Sequence, residues 1–400
     1  MDNKQKIKNN MNNIFFYITA IILFPTAIIG QENSTEKKPT KVMMVLSDIY
    51  RQEVKIGLKG SDTATIYFSN GKGGIIILSA DEYTYYSNKF EPVSATIIGK
   101  NITALDCSDI RLYNLDISKN KALTELNCRD NLLTSLDISK NTALTILDCY
   151  YNKLTSLDVS NNTALVKLYC GGDFGIKVNR LTNLDVSKNT ALAELDCSVN
   201  LLTNLDTRNN TKLTILDCKH NQLQGLDMSK NTKLVKLICN NNQLQGLDIS
   251  KNLELKELVC RENKLTDLDI SKNIALTILD CRGNLLSWLD VSKNTKLIEI
   301  QCNRNRLTNL DISKNIALTV LDCRGNKLKD LDASKNTALE KLYCDNNNLS
   351  EEALNALFTS LHNNNTKEKK TISIIGNPGA DKCDKTIAEK KGWEVISKKN

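Results

Sequence analysis

Twelve of the thirteen cysteines stand at 107, 128, 149, 170, 197, 218, 239, 260, 281, 302, 323 and 344, every step being 21 residues except the 27 between Cys170 and Cys197. A core assembled from unrelated elements has no reason to space one residue type so evenly, whereas a chain coiling at a fixed pitch does. Counting from the Cys, position −2 is Leu in eleven coils and Ile300 in the other, and +5 is Leu throughout once the longer fourth coil is allowed for. The unit, visible in Leu144 to Leu157 as LTILDCYYNKLTSL, reads LxxLxCxxNxLxxLDxSxNxx between Ile102 and Leu349.

Around the Cys, apolar and variable residues alternate as in a short strand, so Leu and Cys point inward and their neighbours outward. Successive strands then stack in parallel, and one coil buries its Leu face only against the next. Asn at +3 (Asn131, Asn152, Asn200 and onward to Asn347) has donor and acceptor atoms to serve the backbone where it turns off the strand. Asp at +9, from Asp116 to Asp332, could suggest calcium, but the Gly-rich nonapeptide of calcium-binding solenoids is missing. The expected role of these acids is to cap turn amides, with a neighbouring Lys column offsetting their repulsion.

Thirteen cysteines in an exported chain would ordinarily suggest disulfides. In-register parallel strands, however, aim equivalent Cβ atoms along one direction about 4.8 Å apart, where a disulfide needs about 3.8 Å. The ladder is therefore expected to be free thiols packed as small hydrophobes, with Cys383 the one thiol open to reagent. Export itself is expected from the N-terminus. Lys4, Lys6 and Lys8 precede an apolar run from Ile14 to Gly30, interrupted by Pro25, which fits a cleaved signal better than a membrane span.

Of the net charge of +7, +2 lies in residues 1–30 and +4 in 367–400, which leaves the body near +1 and argues against nucleic-acid binding. Two His, no CxxC and no HExxH give no basis for catalysis, a metal or a cofactor. Residues 31–100 are read as a β-rich N-terminal cap, from TATIYF, GIIIL, YTYY and SATIIG. Residues 101–349 are the twelve repeats. Residues 350–400 form an α/β C-terminal cap that opens on a helix with Leu354, Leu357, Phe358 and Leu361 as its apolar stripe.

The 21-residue unit resembles the leucine-rich repeat with Cys in place of one Leu, and the whole chain resembles the internalin-J type of bacterial surface protein. The resemblance implies an α/β-type leucine-rich repeat solenoid with a short parallel sheet on the concave face and a mostly non-helical convex side. It further implies an adhesin or protein-interaction module in attachment, biofilm growth or host contact, with a protein or glycan on a host or neighbouring bacterial surface as partner. A spacer without a specific ligand is the alternative. No wall-sorting motif or lipid-acceptor Cys is seen, so the expected fate is secretion or the cell surface, with the periplasm left open. Binding residues are sought where the strand face varies. The candidates are Tyr150, Tyr151 and Tyr169 beside the GGDFGIKV expansion with Phe174, and a later run of Arg261, Arg282, Arg304 and Arg324.

Overall fold

The computed structural model describes residues 40–46, 53–61, 63–68, 73–77, 79, 82–89, 94–99, 101–172, 178–365 and 368–398. The expected leader at 1–30 and Phe174 lie outside the described residues. The chain divides into two compact units, Met1–Leu192 with Cys197–Leu201, and Ala193–Asp196 with Leu202–Asn400.

The first unit begins with β1 (Thr40–Leu46), β2 (Glu53–Gly60), β3 (Thr63–Phe68), β4 (Gly73–Ile77), β5 (Thr84–Lys89) and β6 (Ser94–Gly99), segments rich in β-branched and aromatic residues. β7 (Ile102–Asp106) and β8 (Leu112–Asp116) belong to the first coil. Two sheets result, and each holds one side of that coil. β2 pairs antiparallel with β5 and β7, while β1 pairs antiparallel with β6 and β8. From β7 onward pairing is parallel, through Glu125–Asn127, Ile146–Asp148 and Lys167–Tyr169. The antiparallel β2 thus covers the open edge of the parallel ladder.

In the second unit, three-residue strands from Glu194–Asp196 to Lys341–Tyr343 pair in register with the strand one coil on, as in Leu216↔Leu237 and Leu237↔Leu258. The strands are short because the chain turns two residues past the Cys. Position +2 has a left-handed backbone in eleven coils, with φ from 50° at Glu262 to 65° at Gly283. Most of these residues are not glycine, and each such residue costs about 1 kcal/mol. The turn is stabilised between coils, where the amide of His220 donates to the carbonyl of Asn240 at 2.9 Å and that of Gly283 to Asn303 at 2.9 Å.

Inside, the Leu columns at −5, −2 and +5 and the Cys column are fully excluded from solvent, as Leu276, Leu279, Leu286 and Cys281 illustrate. Each buried Leu contributes roughly 2 kcal/mol. All thirteen cysteines are free and buried, including Cys383 at 6% exposure, so the one thiol expected to be open is packed away as well.

Two buried Asn ladders bind the coils. At +3, the Asn263 side-chain amide donates to the carbonyls of Cys239 at 3.1 Å and Cys260 at 3.0 Å, and its Oδ1 accepts from the Leu244 amide at 3.0 Å. In the fourth coil Asn179, displaced by the insertion, takes the same place, with Nδ2 bonded to the Cys149 and Cys170 carbonyls and Oδ1 to the Leu154 amide. The second ladder is at +13. Asn273 donates to the carbonyls of Ile249 at 3.0 Å and Asn252 at 2.9 Å, but its buried Oδ1 has no donor. Asn231 differs, because Thr207 occupies the +10 site that is aliphatic elsewhere and donates Oγ1–H to Asn231 Oδ1 at 3.1 Å.

The Asp column at +9 forms exposed turn locks, such as the Ser271 amide donating to Asp269 Oδ1 at 2.8 Å, and these bonds lower the acid's pKa.

At the C-terminus, α1 (Glu351–Ser360) is capped by Ser350, whose hydroxyl accepts from the Ala353 amide at 3.2 Å, and it buries Leu354, Leu357 and Phe358. The chain then returns to the ladder. Strand Lys370–Ser373 pairs parallel with Lys341–Tyr343, and Trp393–Ile396 pairs with it in turn, beyond the short α2 (Thr386–Glu389). Residues 370–379 are in effect a coil without Cys. Ile374 fills the thiol position, Gly376 is left-handed at φ 72°, and Asn377 continues the Asn ladder by donating to the Cys344 carbonyl at 2.9 Å.

Candidate functional site

On each strand, −3 and −1 point away from the Leu and Cys columns, and +1 follows at the rim. The −1 acids serve partly as structure. Asp106, Asp148, Asp217 and Asp322 each accept the backbone amide two residues on, at 3.0 to 3.2 Å. Burial raises the Asp280 carboxyl above its ordinary range, against the pull of Arg282 and Arg261.

Three of the four candidate arginines are folded onto these acids. Arg324 grips Asp322 with two bonds, at 2.9 and 2.6 Å. Arg282 and Arg261 converge on Asp280 at 3.2 and 3.8 Å. Only Arg304 projects, with 77% of its side chain exposed and Glu262 4.0 Å away.

The tyrosines do come together, though not as freely exposed rings. Tyr150 and Tyr151 meet edge to face at 4.6 Å, and Arg129 lies 4.8 and 5.2 Å from their ring centres. The Tyr150 hydroxyl donates to the Gly172 carbonyl at 2.6 Å, so this residue clasps the base of the insertion and is not a free contact. Tyr169 is half-buried on the adjoining strand, opposite Asp148. Arg129 was not foreseen from sequence, because cation–π partners one coil apart show only when the strands are in register.

His220 sits at the left-handed turn with φ 52°, and its neighbour Asp217 is bonded to Lys219 at 2.6 Å. Among the described residues no group of three or more His, Cys, Asp or Glu is placed to hold a metal ion.

Two surface features went unread in the sequence. Trp288 is 53% exposed at +7, where other coils carry Asn, Ser, Gly or Asp. Position −3 alternates acid, aliphatic, base: Glu194, Ile215, Lys236, then Glu257, Ile278, then Glu299, Val320, Lys341. Lys236 and Glu257 form a 2.9 Å bridge between adjacent strands.

Among solved structures, the functional domain of InlJ from Listeria monocytogenes, described as including a cysteine ladder, is 33% identical, with 68% of this chain and 74% of that one covered and a TM-score of 0.51. The chain belongs to the internalin-J-like, cysteine-ladder leucine-rich repeat family. Internalin InlF of the same organism, at 20% identity, shares the fold with a TM-score of 0.63 over 74% of this chain and 87% of that one. So does the plant peptide hormone receptor RGFR1 in complex with RGF2, at 19% identity and a TM-score of 0.58 over 74% and 51%. No protein-family model and no curated protein sequence matches. The internalin-J-like scaffold is that of a protein-interaction module, and no helix among the described residues is long and apolar enough to cross a membrane.

Proposed function

We propose that the chain is an exported, adhesin-like interaction module that attaches to a protein or glycan on a host or neighbouring bacterial surface through its strand face. One observation carries this reading. The inward Leu, Cys and Asn columns repeat from coil to coil because each is buried in the core, whereas the side chains on the strand face differ from one coil to the next. The peptide held by the similarly folded RGFR1 supports a ligand-binding use of such a scaffold, and the leader-like run at 14–30 supports export. Tyr151, Tyr169 and Arg304 are the candidate contacts of this reading; the Tyr150 hydroxyl is bonded to Gly172, and Arg261, Arg282 and Arg324 lie against Asp280 and Asp322.

The test is capture from host and bacterial surface extracts on the immobilised chain, with Tyr169→Ala/Arg304→Ala and Ile278→Glu compared with the off-face control Thr295→Glu. Loss of capture by the face variants alone is expected. Equal capture by all variants would refute the reading.

A further inference from the structure

In the second unit, the flank of the coils that leads into the strands is bracketed by two hydrogen-bonded ladders. On one side the Asn273 and Asn294 side chains donate to the carbonyls of Asn252 and Asn273, both at 2.9 Å. On the other, the amides of Thr277, Ile298 and Thr319 donate to the carbonyls of Lys256, Thr277 and Ile298 at 2.8 to 2.9 Å. Positions +14, +15 and −4 between them are therefore held in rows, one residue per coil and about 4.8 Å apart.

Three of four successive +14 residues, where most coils carry Thr, are aliphatic: Leu253, Ile274 and Ile316, with Thr295 between the last two. Together with Ile298 at −4 they are between 45% and 62% exposed, while Leu255, Leu276, Leu297 and Leu318 at +16 are fully buried beneath them. The core is complete without them. Charge on these rows is one-sided. From Thr211 to Thr319 they hold Lys212, Lys233, Lys256 and Lys296 against one acid, Glu254, and the four lysines form no ion pair with any described residue. Alongside, at +9 and +12, acid and lysine balance one to one, as Asp248 with Lys251 and Asp269 with Lys272.

We propose that this flank seats the chain on an anionic lipid surface, with the aliphatic row entering the headgroup layer and the lysines lying over lipid phosphates. It is a second surface beside the strand face, which it leaves uncovered. Two such flanks set face to face would oppose lysine rows to lysine rows, so charge disfavours a second copy as the occupant. Protein partners are gripped chiefly through recessed, desolvated pockets, whereas these aliphatic groups stand above Thr and Ala neighbours. That arrangement suits a soft layer, which takes up an apolar row beside lysine heads as it does from interfacial helices. Leu253 to Ile316 spans about 15 Å, short enough for one plane to reach every member of the row. Each lysine near such a surface is worth about a factor of five in affinity.

Co-sedimentation with vesicles of phosphatidylcholine, alone or with about one-third phosphatidylglycerol, tests the seating. The chain from residue 31 onward is used, because the apolar run at 14–30 would itself enter vesicles. Ile274→Thr/Ile316→Thr and Lys233→Ala/Lys296→Ala restore the residues that other coils carry at +14 and +15, so the repeat accommodates them. Each pair is expected to weaken binding to the anionic vesicles at least about tenfold. Lys264→Gln/Lys327→Gln, which removes the same charge at +4, should stay within about threefold of the parent. A parent chain that binds no better with phosphatidylglycerol than without it would overturn the seating, as would flank variants that bind like the parent or an equal loss in the +4 pair. So would a flank that ignores vesicles and instead holds an acidic protein. Thr295→Glu should weaken vesicle binding and spare capture through the strand face, and Ile278→Glu should do the reverse, so the two readings fail separately.

Discussion

Thr207 and Val291 occupy the same coil position and differ by one hydroxyl in place of one methyl, which makes them a matched pair of perturbations. Beside Thr207, Asn231 Nδ2 donates to the Thr207 and Asn210 carbonyls, both at 3.0 Å, and Oδ1 accepts the Thr hydroxyl at 3.1 Å. Beside Val291, Asn315 Nδ2 donates to the Val291 and Asn294 carbonyls at 3.0 and 2.9 Å, and Oδ1 is buried with no donor. All four residues are inaccessible to solvent. Thr207→Val should strand an acceptor and cost about 1–2 kcal/mol, while Val291→Thr should complete one and stabilise by about 0.5–1 kcal/mol. The gain is smaller because the incoming hydroxyl must itself be desolvated. Coils unfold as coupled neighbours, so the readout is hydrogen exchange of the flanking amides alongside the guanidinium midpoint of the whole chain. Destabilisation by Val291→Thr of more than about 1 kcal/mol would refute the account of the second Asn ladder as acceptor-rich and donor-poor.

The native chain should resist thiol reagents at all thirteen cysteines, because each is buried and burial pushes Cys239 and Cys281 up to about 12; labelling should appear only on unfolding, without reductant, and six disulfides by mass spectrometry would contradict it. The C-terminal cap should loosen in acid. His362 Nε2 lies 2.8 Å from Lys370 Nζ, and burial with Lys370 and Lys391 lowers the imidazole pKa below 6.5. Because the folded pKa is depressed, the unfolded chain binds the extra proton: stability is full above about 6.5 and falls as pH drops from there toward the folded pKa. Trp393, whose ring lies 5.4 Å from His362, gives a fluorescence readout, and a His362→Gln chain that still loosens over that window would contradict the assignment. Gly379→Ala should destabilise the cap by roughly 2 kcal/mol, since an added Cβ would fall 2.3 Å from backbone atoms of Ser350 and Glu351; unchanged exchange in α1 would argue against it.

The repeat length, the inward Leu and Cys columns and the capping helix were all legible, because each leaves a periodic mark on residue type. What escaped was conformation that leaves no such mark. Position +2 is occupied by Asp, Tyr, Val, His, Glu, Arg, Asn and Gly alike, yet its backbone is left-handed in nearly every coil, since inter-coil amide bonds override the side chain's preference. Asn179 was hidden by the insertion, and Ile374 to Asn377 by lack of the Cys that marks a coil. At the candidate site the sequence located the tyrosines and arginines but not their partners. The Tyr150 hydroxyl turns toward Gly172 and three guanidinium groups turn onto Asp280 and Asp322, contacts that follow from strand register.

The thiol ladder also constrains how the chain reaches its native state. Its protection comes entirely from neighbours above and below, and a coil that has not yet been covered exposes an ordinary thiol to any oxidant present. Folding in an oxidising setting is therefore a race between coil addition and sulfur chemistry. Pairing takes seconds to hours, whereas local loops close in well under a millisecond, so a ladder that zips from one capped end can win. A block at any one coil strands every cysteine beyond it, and the resulting products would be cross-linked chains in place of a partly formed solenoid.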